Sequence, residues 1–418
     1  MVLDVFNLYK IESTLNVRIL NSKDKKVIKS SIERGQNELA CSAEREKIKG
    51  SKNLNVPHLR FPEFRGEWET KSINDLAVVI GGGTPDTTVK SYWDGEIQWF
   101  TPSEIGKNKY VDSSLRTITE EGLNNSSAKL LPPNTILLSS RATIGECSLS
   151  LRECTTNQGF QSLVSKKCNV DFLYYLIQTK KKDLIRRSCG STFLEISANE
   201  VRKIQVSVPS DVEQQKIAEL LSLIDERIAT QNKIIEKLQS LIKGLAAQLT
   251  QSGTPNIRLC DCLECHSSTL QENCISVTGS YPVYGATGLI GYTNSYAYNG
   301  ESILIVKDGS GVGSLSYVND HFSVIGTLNY LTAKENYSIL YLYYALMAFN
   351  FTPYITGMAI PHIYFKDYGK AKLFYPSIEK RIRIASLLHN IDQKLVAEQN
   401  LVISLSAQKS YLLRMLFI

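Results

Sequence analysis

The side chains best suited to metal chemistry cluster in the second half of the chain. Thiolates and imidazoles are the ligands that Zn²⁺ prefers, and one pair here has the two-residue spacing of many zinc sites. A second Cys-x-x-Cys pair is absent, and residues 259–261 occupy the place of residues 73–75 of the first half, where no thiols occur. We therefore predict reduced thiols and no metal, with a zinc site as the alternative. The clustered residues are Cys260, Cys262, Cys265, His266 and Cys274.

The motifs that methyl transfer and nucleotide hydrolysis require are absent from the sequence. A DNA methyltransferase needs a Gly-rich cofactor loop after a strand and an Asn/Asp-Pro-Pro-aromatic tetrapeptide that binds the flipped base. The nearest tetrapeptide, residues 351–354, lacks the amide or carboxylate. Residues 309–313 are Gly-rich and follow a predicted strand, but we interpret them as a hairpin turn, and no Walker loop is present. The sequence predicts no catalytic residues and no cofactor in this chain.

Cations and polar loop residues in both halves are suited to nucleic-acid binding. Lys180, Lys181, Lys182, Arg186 and Arg187 follow or end a predicted helix over residues 171–182 and could contact phosphates. The alternative is a solvated basic helix end that complements the helix dipole. Polar side chains at predicted strand ends could read base edges, or could simply form turns. These segments are residues 140–143, 156–159, 307–310 and 326–329.

Two long helices with a heptad pattern must position these residues. Apolar residues recur alternately every four and three positions after Val208 and again after Pro376, which predicts a seam against which another helix packs. Ser210 and Glu213 predict a capping box at the first helix start. The first seam is Ile217, Leu221, Ile224, Ile228, Gln231, Ile235, Leu238, Ile242, Leu245 and Leu249. The second is Ile384, Leu388, Ile391, Leu395, Glu398, Val402, Leu405, Lys409, Leu412 and Leu416.

The two halves of the chain are a tandem duplication. Residues 172–175 recur as residues 341–344, Gly190 recurs as Gly357, and Gln231 and Glu398 take the same mid-helix place. If the helices pair antiparallel about a pseudo-two-fold axis, Gln231 and Glu398 should face each other and fix the register of the pair. The alternative is that both are hydrated breaks in an amphipathic stripe.

The fold class predicted is α+β, with two β-rich domains in tandem, each followed by a long helix, and the helices paired as an antiparallel coiled coil. With 418 residues, 43% hydrophobic residues and a net charge of +6, the chain can bury two or three cores, and its mild basicity permits nucleic-acid binding without requiring it. No membrane-spanning run or signal peptide is recognised, so we expect a cytoplasmic protein.

This layout resembles the specificity subunit of type I restriction-modification systems. The resemblance covers residues 56–418 and is carried by the duplicated layout, by LRFPEF at residues 59–64, by YPVYG at 281–285, by Asn157-Gln158 and by the helix start at residues 208–218. It implies that each β-rich segment is a target recognition domain for one half of a split DNA site. It also implies that the paired helices set the gap between the half-sites. The predicted domains are a loosely ordered N-terminal extension (1–55), a first target recognition domain (56–208), a central helix (209–253), a second target recognition domain (254–375) and a C-terminal helix (376–418).

The same resemblance implies partners and DNA-binding residues. The partners are double-stranded DNA, two modification (methyltransferase) subunits and restriction (endonuclease/translocase) subunits, with no membrane. S-adenosylmethionine, ATP and Mg²⁺ are expected in the partner subunits. Besides the five cations above, the DNA-binding residues implied are Arg141, Asn157, Gln158, Ser191 and Thr192, then Tyr284, Lys307, Asp308, Ser310, Thr327 and Asn329.

Three other functions remain open from the sequence. The chain could be the recognition subunit of a fused bifunctional restriction enzyme, which has the same layout. It could be a structural coiled-coil adaptor, whose polar loop residues would be ordinary surface. A stand-alone methyltransferase is disfavoured by the missing tetrapeptide.

Overall fold

The computed structural model describes residues 55–190 and 194–418. The chain divides into two units, the first ending at Thr230 and completed by Ile403–Ile418, the second comprising Gln231–Val402. The predicted extension, residues 1–55, lies outside the described ranges except for its last residue. No helix in the described part of the chain has a stretch long and apolar enough to cross a membrane.

The first unit begins with a β-rich segment that ends in a strand leading into a long helix. Its elements are β1 (Glu69–Ser72), α1 (Ile73–Leu76), β2 (Ala77–Gly81), β3 (Trp93–Phe100), β4 (Tyr110–Val111), β5 (Arg116–Ile118), α2 (Glu120–Asn124), β6 (Ile136–Leu138), β7 (Cys147–Ser150), β8 (Cys154–Thr156), β9 (Gln161–Ser165), α3 (Val170–Thr179), α4 (Lys181–Arg186), α5 (Ala198–Arg202) and β10 (Gln205–Val208).

The second unit contains a β-rich segment of similar plan. Its elements are β11 (Ile257–Arg258), α7 (Leu259–Cys262), β12 (Leu263–Ser267), β13 (Tyr281–Gly285), β14 (Gly288–Thr293), β15 (Tyr298–Val306), β16 (Leu315–Val324), β17 (Leu328–Ala333), α8 (Ile339–Met347), α9 (Phe365–Tyr368) and β18 (Lys372–Leu373). The long helices are α6 (Asp211–Thr250) and α10 (Ile378–Leu416).

The sheets show what the two segments share and where they differ. The order β2-β9-β6-β7 in the first matches β12-β17-β15-β16 in the second. Beyond this common part, the first segment adds β4 and a separate sheet of order β5-β3-β8, whereas the second adds β13 and β14. Each segment closes on itself, because its first strand pairs antiparallel with its last, β1 with β10 and β11 with β18.

Within each unit the long helices pair antiparallel and share the segment's core. In the first unit, Ile217 and Leu221 near the start of α6 lie in one core with Leu416 near the end of α10. In the second unit, Ile242 near the end of α6 lies in one core with Leu388 near the start of α10. The predicted seam residues, all within the described ranges, are buried or half-buried. The heptad prediction is therefore confirmed.

The polar residues at mid-helix meet as the duplication predicts. Gln231 and Glu398 are both 8% exposed, and the Gln231 Nε2 amide donates a hydrogen bond to the Glu398 carboxylate. Lys394 Nζ lies 2.5 Å from the other carboxylate oxygen of Glu398, so the buried charge has a partner. These contacts all lie in the second unit.

Lys409, the second polar break in the α10 seam, has a specific partner in the first unit. Its Nζ lies 2.7 Å from Asp225 Oδ1, and both side chains are less than one-fifth exposed. The Tyr175 hydroxyl on α3 donates to Asp225 Oδ2 at 2.7 Å. A largely buried ion pair thus takes the place of an apolar contact, which explains the break in the heptad.

The LRFPEF segment is fixed to the start of α6 by a buried carboxylate. Arg60 Nε and Nη2 each donate to Glu213 at 2.8 Å, and Trp68 Nε1 donates to the same group at 3.3 Å. The Glu213 carboxylate raises the Arg60 pKa. The predicted capping box between Ser210 and Glu213 is therefore not formed, because Arg60 and Trp68 occupy the carboxylate.

Candidate nucleic-acid interface

Three loops of the first unit meet at the end of β6 and form what we call the first loop cluster, which comprises the described residues 140–143, 156–159, 189–190 and 194–195. The Ser140 amide donates to the Gly159 carbonyl at 2.8 Å, and the Ile196 amide donates to the Ser140 carbonyl at 3.1 Å. Cys189 and Glu195 exchange both backbone hydrogen bonds, at 2.9 Å each, and so close a hairpin. Polar segments that are distant in sequence are thereby brought to one edge of the sheet.

The second loop cluster, residues 307–310, 326–329 and 356–362, repeats this arrangement at the end of β15. Lys307 donates its amide to the Thr327 carbonyl at 3.0 Å and accepts from the Ile363 amide at 3.0 Å. Thr356 and His362 close the equivalent hairpin with hydrogen bonds of 2.9 and 2.8 Å. Each β-rich segment therefore presents the same three-loop surface.

A glycine at the same place shapes each hairpin. Gly190 has φ +134° and Gly357 has φ +89°, in the left-handed region that favours glycine. A Cβ on Gly357 would lie 2.3 Å from the Ile360 carbonyl oxygen, so no other residue fits without a backbone shift. The recurrence of these glycines in the sequence is the local signal of the hairpins.

Ionisable residues face each other at the base of each hairpin. Arg141 Nη2 lies 2.8 Å from Glu195 Oε2, and the two side chains are 43% and 36% exposed. The equivalent bridge in the second unit joins Asp308 to His362 through the backbone. Arg141 is thus held at the surface with its side chain partly exposed.

The predicted polar residues of the first cluster are held by local contacts. Asn157 Oδ1 accepts from the Gly159 amide at 2.8 Å, which stabilises the turn. Gln158 is exposed and hydrogen-bonds to the Thr84 hydroxyl. Ser191 and Thr192 lie outside the described residues.

The predicted basic run does not lie at the end of one helix. Lys180 lies at the junction between α3 and the short helix α4. The other four cations lie on α4 or at its C-terminal end. Four of the five have contacts: Lys180 Nζ with the Ile418 carbonyl at 2.6 Å, Lys181 with Glu146 at 2.5 Å, Arg186 with Asp183 at 2.7 Å and Arg187 with Glu200 at 3.3 Å.

Two lysines of this basic run differ in their surroundings. Burial lowers the pKa of Lys180. Lys182, which is exposed, has no acidic partner within the described ranges. Lys182 is therefore the cation of this group most open to a phosphate.

The predicted DNA-binding residues of the second unit differ in how exposed their side chains are. Ser310 and Thr327 are exposed, and Lys307 and Asp308 are half-buried. Tyr284 is half-buried on β13, where burial raises the pKa of its phenol. Asn329 is only 7% exposed and its amide is occupied, accepting from Ser267 at 3.0 Å and donating to the Cys265 thiol at 3.3 Å. The side chain of Asn329 is therefore not accessible to DNA, because its amide is hydrogen-bonded between β17 and β12.

The comparison with known families bears directly on this repeated surface. The sequence model described as Type I restriction modification DNA specificity domain matches residues 65–240 and 257–405, one match for each β-rich segment with part of its long helix. The chain belongs to this specificity family.

Individual members of the specificity family are similar over different lengths. The type I restriction enzyme MjaIX specificity subunit of Methanocaldococcus jannaschii is 40% identical over 183 residues, which is 41% of this chain and 42% of that protein. The type I restriction enzyme EcoprrI specificity subunit of Escherichia coli is 26% identical over 346 residues, 74% of this chain and 84% of that protein. The match to the MjaIX subunit thus spans less than half of its length.

A solved member of the specificity family shares the fold. The S subunit of a type I restriction-modification system from M. genitalium superimposes with a TM-score of 0.60 at 18% identity, covering 87% of this chain and 99% of that one.

Two features of the loop clusters were not predicted from the sequence. Thr84 follows a Gly-rich turn in which a Cβ on Gly82 would lie 2.0 Å from the Asn157 carbonyl oxygen, so the turn packs directly under the loop that carries Gln158. The apolar tip of the second hairpin was also missed. Close packing of glycine against a distant loop leaves no periodic signal in sequence.

Side chains of the cysteine-rich segment, residues 260–274, form hydrogen bonds within the protein. Cys262 donates its thiol proton to backbone carbonyls, and His266 Nε2 lies 2.9 Å from the Thr332 hydroxyl. Within residues 55–190 and 194–418, no group of three or more His, Cys, Asp or Glu side chains is arranged to hold a metal ion.

Proposed function

We propose that this chain is the DNA-recognition subunit of a type I restriction-modification complex, in which each loop cluster reads one half of a bipartite DNA site. The observation that carries the proposal is the repeated three-loop surface, which presents Arg141 and Gln158 in the first unit and Ser310, Thr327 and the half-buried Lys307 in the second. Such groups hydrogen-bond to base edges in the major groove. Two similar readers in one chain fit a site with two half-sites.

The proposed roles of individual residues follow from their accessibility. Arg141 and Gln158 read the first half-site, and Ser310 and Thr327 read the second. Lys182 and Lys307 contact phosphates, which position the protein on the duplex without selecting sequence. Phosphate contacts release counterions, so affinity should fall steeply as salt rises, whereas a structural adaptor would not bind DNA.

Catalysis in this proposal belongs to partner subunits. Two modification subunits bind S-adenosylmethionine and methylate an adenine in each half-site, and restriction subunits use ATP and Mg²⁺ to translocate and cut unmodified DNA. Support comes from the sequence, which lacks a cofactor loop and a base-binding tetrapeptide, and from family membership.

The experiment is to express the full chain with its modification subunit in a host without adenine methylation and to map methylated adenines by single-molecule sequencing. We expect two half-sites separated by a constant gap. Gln158→Ala should relax one position of the first half-site by roughly 1–3 kcal/mol and leave the second unchanged.

Thr327→Ala is the matched control, because it should affect only the second half-site. A single continuous site, or a change in both half-sites from either substitution, would contradict two independent readers. Methylation by this chain without a partner would contradict the non-catalytic role.

A further inference from the structure

The tip of the hairpin in the second loop cluster exposes apolar side chains to solvent. Met358 is fully exposed and Ile360 is 64% exposed, and Ile355 and Tyr364 at the hairpin base are 37% and 47% exposed. An exposed apolar group on a tightly hydrogen-bonded loop has no role in the core of its own unit, so it suits contact with a ligand.

The hairpin is tied directly to the surface that we propose faces DNA. The Gly309 amide donates to the Pro361 carbonyl at 2.9 Å, which places the tip next to the turn that carries Asp308 and Ser310. Lys307 and Lys366 flank the hairpin, and neither has an acidic partner among the described residues. Unpaired cations beside an apolar tip suit a polyanion with an apolar interior, which is the character of a DNA duplex.

The first loop cluster also exposes an apolar side chain, next to the bridge between Cys189 and Glu195. Leu194 stands in the sequence where the second hairpin has Pro361, and its side chain is 50% exposed. An exposed apolar group at the same place in both readers suits a step common to both half-sites.

The types of these exposed residues indicate what the common step is. Phe, Leu, Ile, Met and Pro are the side chains that proteins insert between base steps to unstack and kink a duplex. They have no group that could hydrogen-bond to a base edge or pair with a phosphate.

We propose that Met358 and Ile360 in the second loop cluster, and Leu194 in the first, are apolar wedges that unstack a base step in each half-site. This inference rests on the proposed function. Unstacking lowers the cost of moving an adenine out of the duplex, a cost that is paid before a base can be modified. The wedge therefore acts on base stacking in either half-site, in addition to the sequence reading by neighbouring side chains.

The test uses the full chain assembled with its modification subunits and a duplex that contains the two mapped half-sites. 2-Aminopurine is placed at each position in turn, and its fluorescence reports unstacking. The double substitution Met358→Ser and Ile360→Ser should abolish the fluorescence rise in the second half-site only and weaken binding by roughly tenfold or more. Leu194→Ser should reduce the rise in the first half-site only.

Val277→Ser is the matched control, because Val277 is an apolar residue of the same unit that is 91% exposed but lies in the loop before β13. It should change neither signal. Unchanged unstacking in the double variant would overturn the wedge, as would loss of modification-subunit assembly, which would assign the tip to a protein contact. Failure of the unaltered complex to bind the bipartite duplex would instead overturn the proposed function itself.

Discussion

Two aspartates at equivalent places in the long helices have different surroundings. Asp225 on α6 pairs with Lys409 and accepts from Tyr175, whereas Asp392 on α10 accepts from Tyr344 at 3.4 Å and has no cation in a salt bridge among the described residues. Burial raises the pKa of the Asp392 carboxyl above its ordinary 3.8. The Tyr–Asp contact is present in both copies, whereas among the described residues only the first copy has an ion pair at this aspartate.

This difference predicts opposite effects of the same substitution. Asp225→Asn should destabilise the fold by about 3 kcal/mol, because it leaves a largely buried lysine unpaired. Asp392→Asn should stabilise it at pH 7, because the folded pKa of Asp392 lies above the unfolded one and its charged form is disfavoured on folding. Thermal denaturation of both variants measures the two effects.

The sign of the Asp392 effect can be checked by pH. The cost of the Asp392 charge appears as pH rises through the interval between the unfolded and folded pKa values. Stabilisation by Asp392→Asn should therefore be full at neutral pH and be lost as pH falls to about 3, below the unfolded pKa, where the aspartate is mostly protonated in both states. A stabilisation that persists at pH 3 would show that charge is not the cause.

The long helices place a polar contact at the middle of an apolar seam. Gln231 and Glu398 are buried together, and an amide or carboxylate in such a position is satisfied only when its partner is in register. Apolar side chains tolerate a shift by one heptad, whereas this pair does not. The contact therefore specifies one alignment at some cost in stability.

Replacing both residues should separate stability from register. Gln231→Leu with Glu398→Leu should raise stability by about 1–4 kcal/mol and allow more than one helix alignment. Thermal melting measures the first effect, and disulfide trapping between cysteines introduced on α6 and α10 measures the second. Gln231→Leu alone is the control, and should destabilise because Glu398 loses its amide donor. A double variant with a single trapped alignment would refute the register role.

At the scale of the whole molecule, each long helix contributes to both units. Residues 211–230 of α6 belong to the first unit and residues 231–250 to the second, and α10 is likewise shared. In the proposed function, helix length then determines the gap between the half-sites.

Lengthening both helices tests this relation. One heptad inserted after Gln231 and one after Glu398 keeps the seam in phase and adds about 10 Å, close to three base pairs. We expect both half-sites to be unchanged and the mapped gap to widen by about three base pairs. An insertion of four residues in each helix is the control, because it breaks the heptad phase. An unchanged gap with the heptad insertion would disprove the relation.

Sequence alone predicted the features that depend on local periodicity. The seam of α6 and α10, the Gln231–Glu398 contact and the duplicated layout all follow from regular spacing. The loop clusters did not, because Ser140, Gly159 and Ile196 meet only after the sheet has formed. For the same reason, sequence placed Asn329 at an accessible strand end, whereas its amide is used between β12 and β17.

The pairing of β1 with β10 has an evolutionary consequence. Because Glu69 and Val208 are hydrogen-bonded neighbours, the chain leaves the first segment where it entered it. Everything between them is a closed cassette whose replacement leaves the start of α6 in place, and β11 with β18 makes the second segment another. In the proposed function, genetic recombination within the DNA that encodes these two short sheets could exchange one cassette at a time, so new specificities could arise by combination of existing ones.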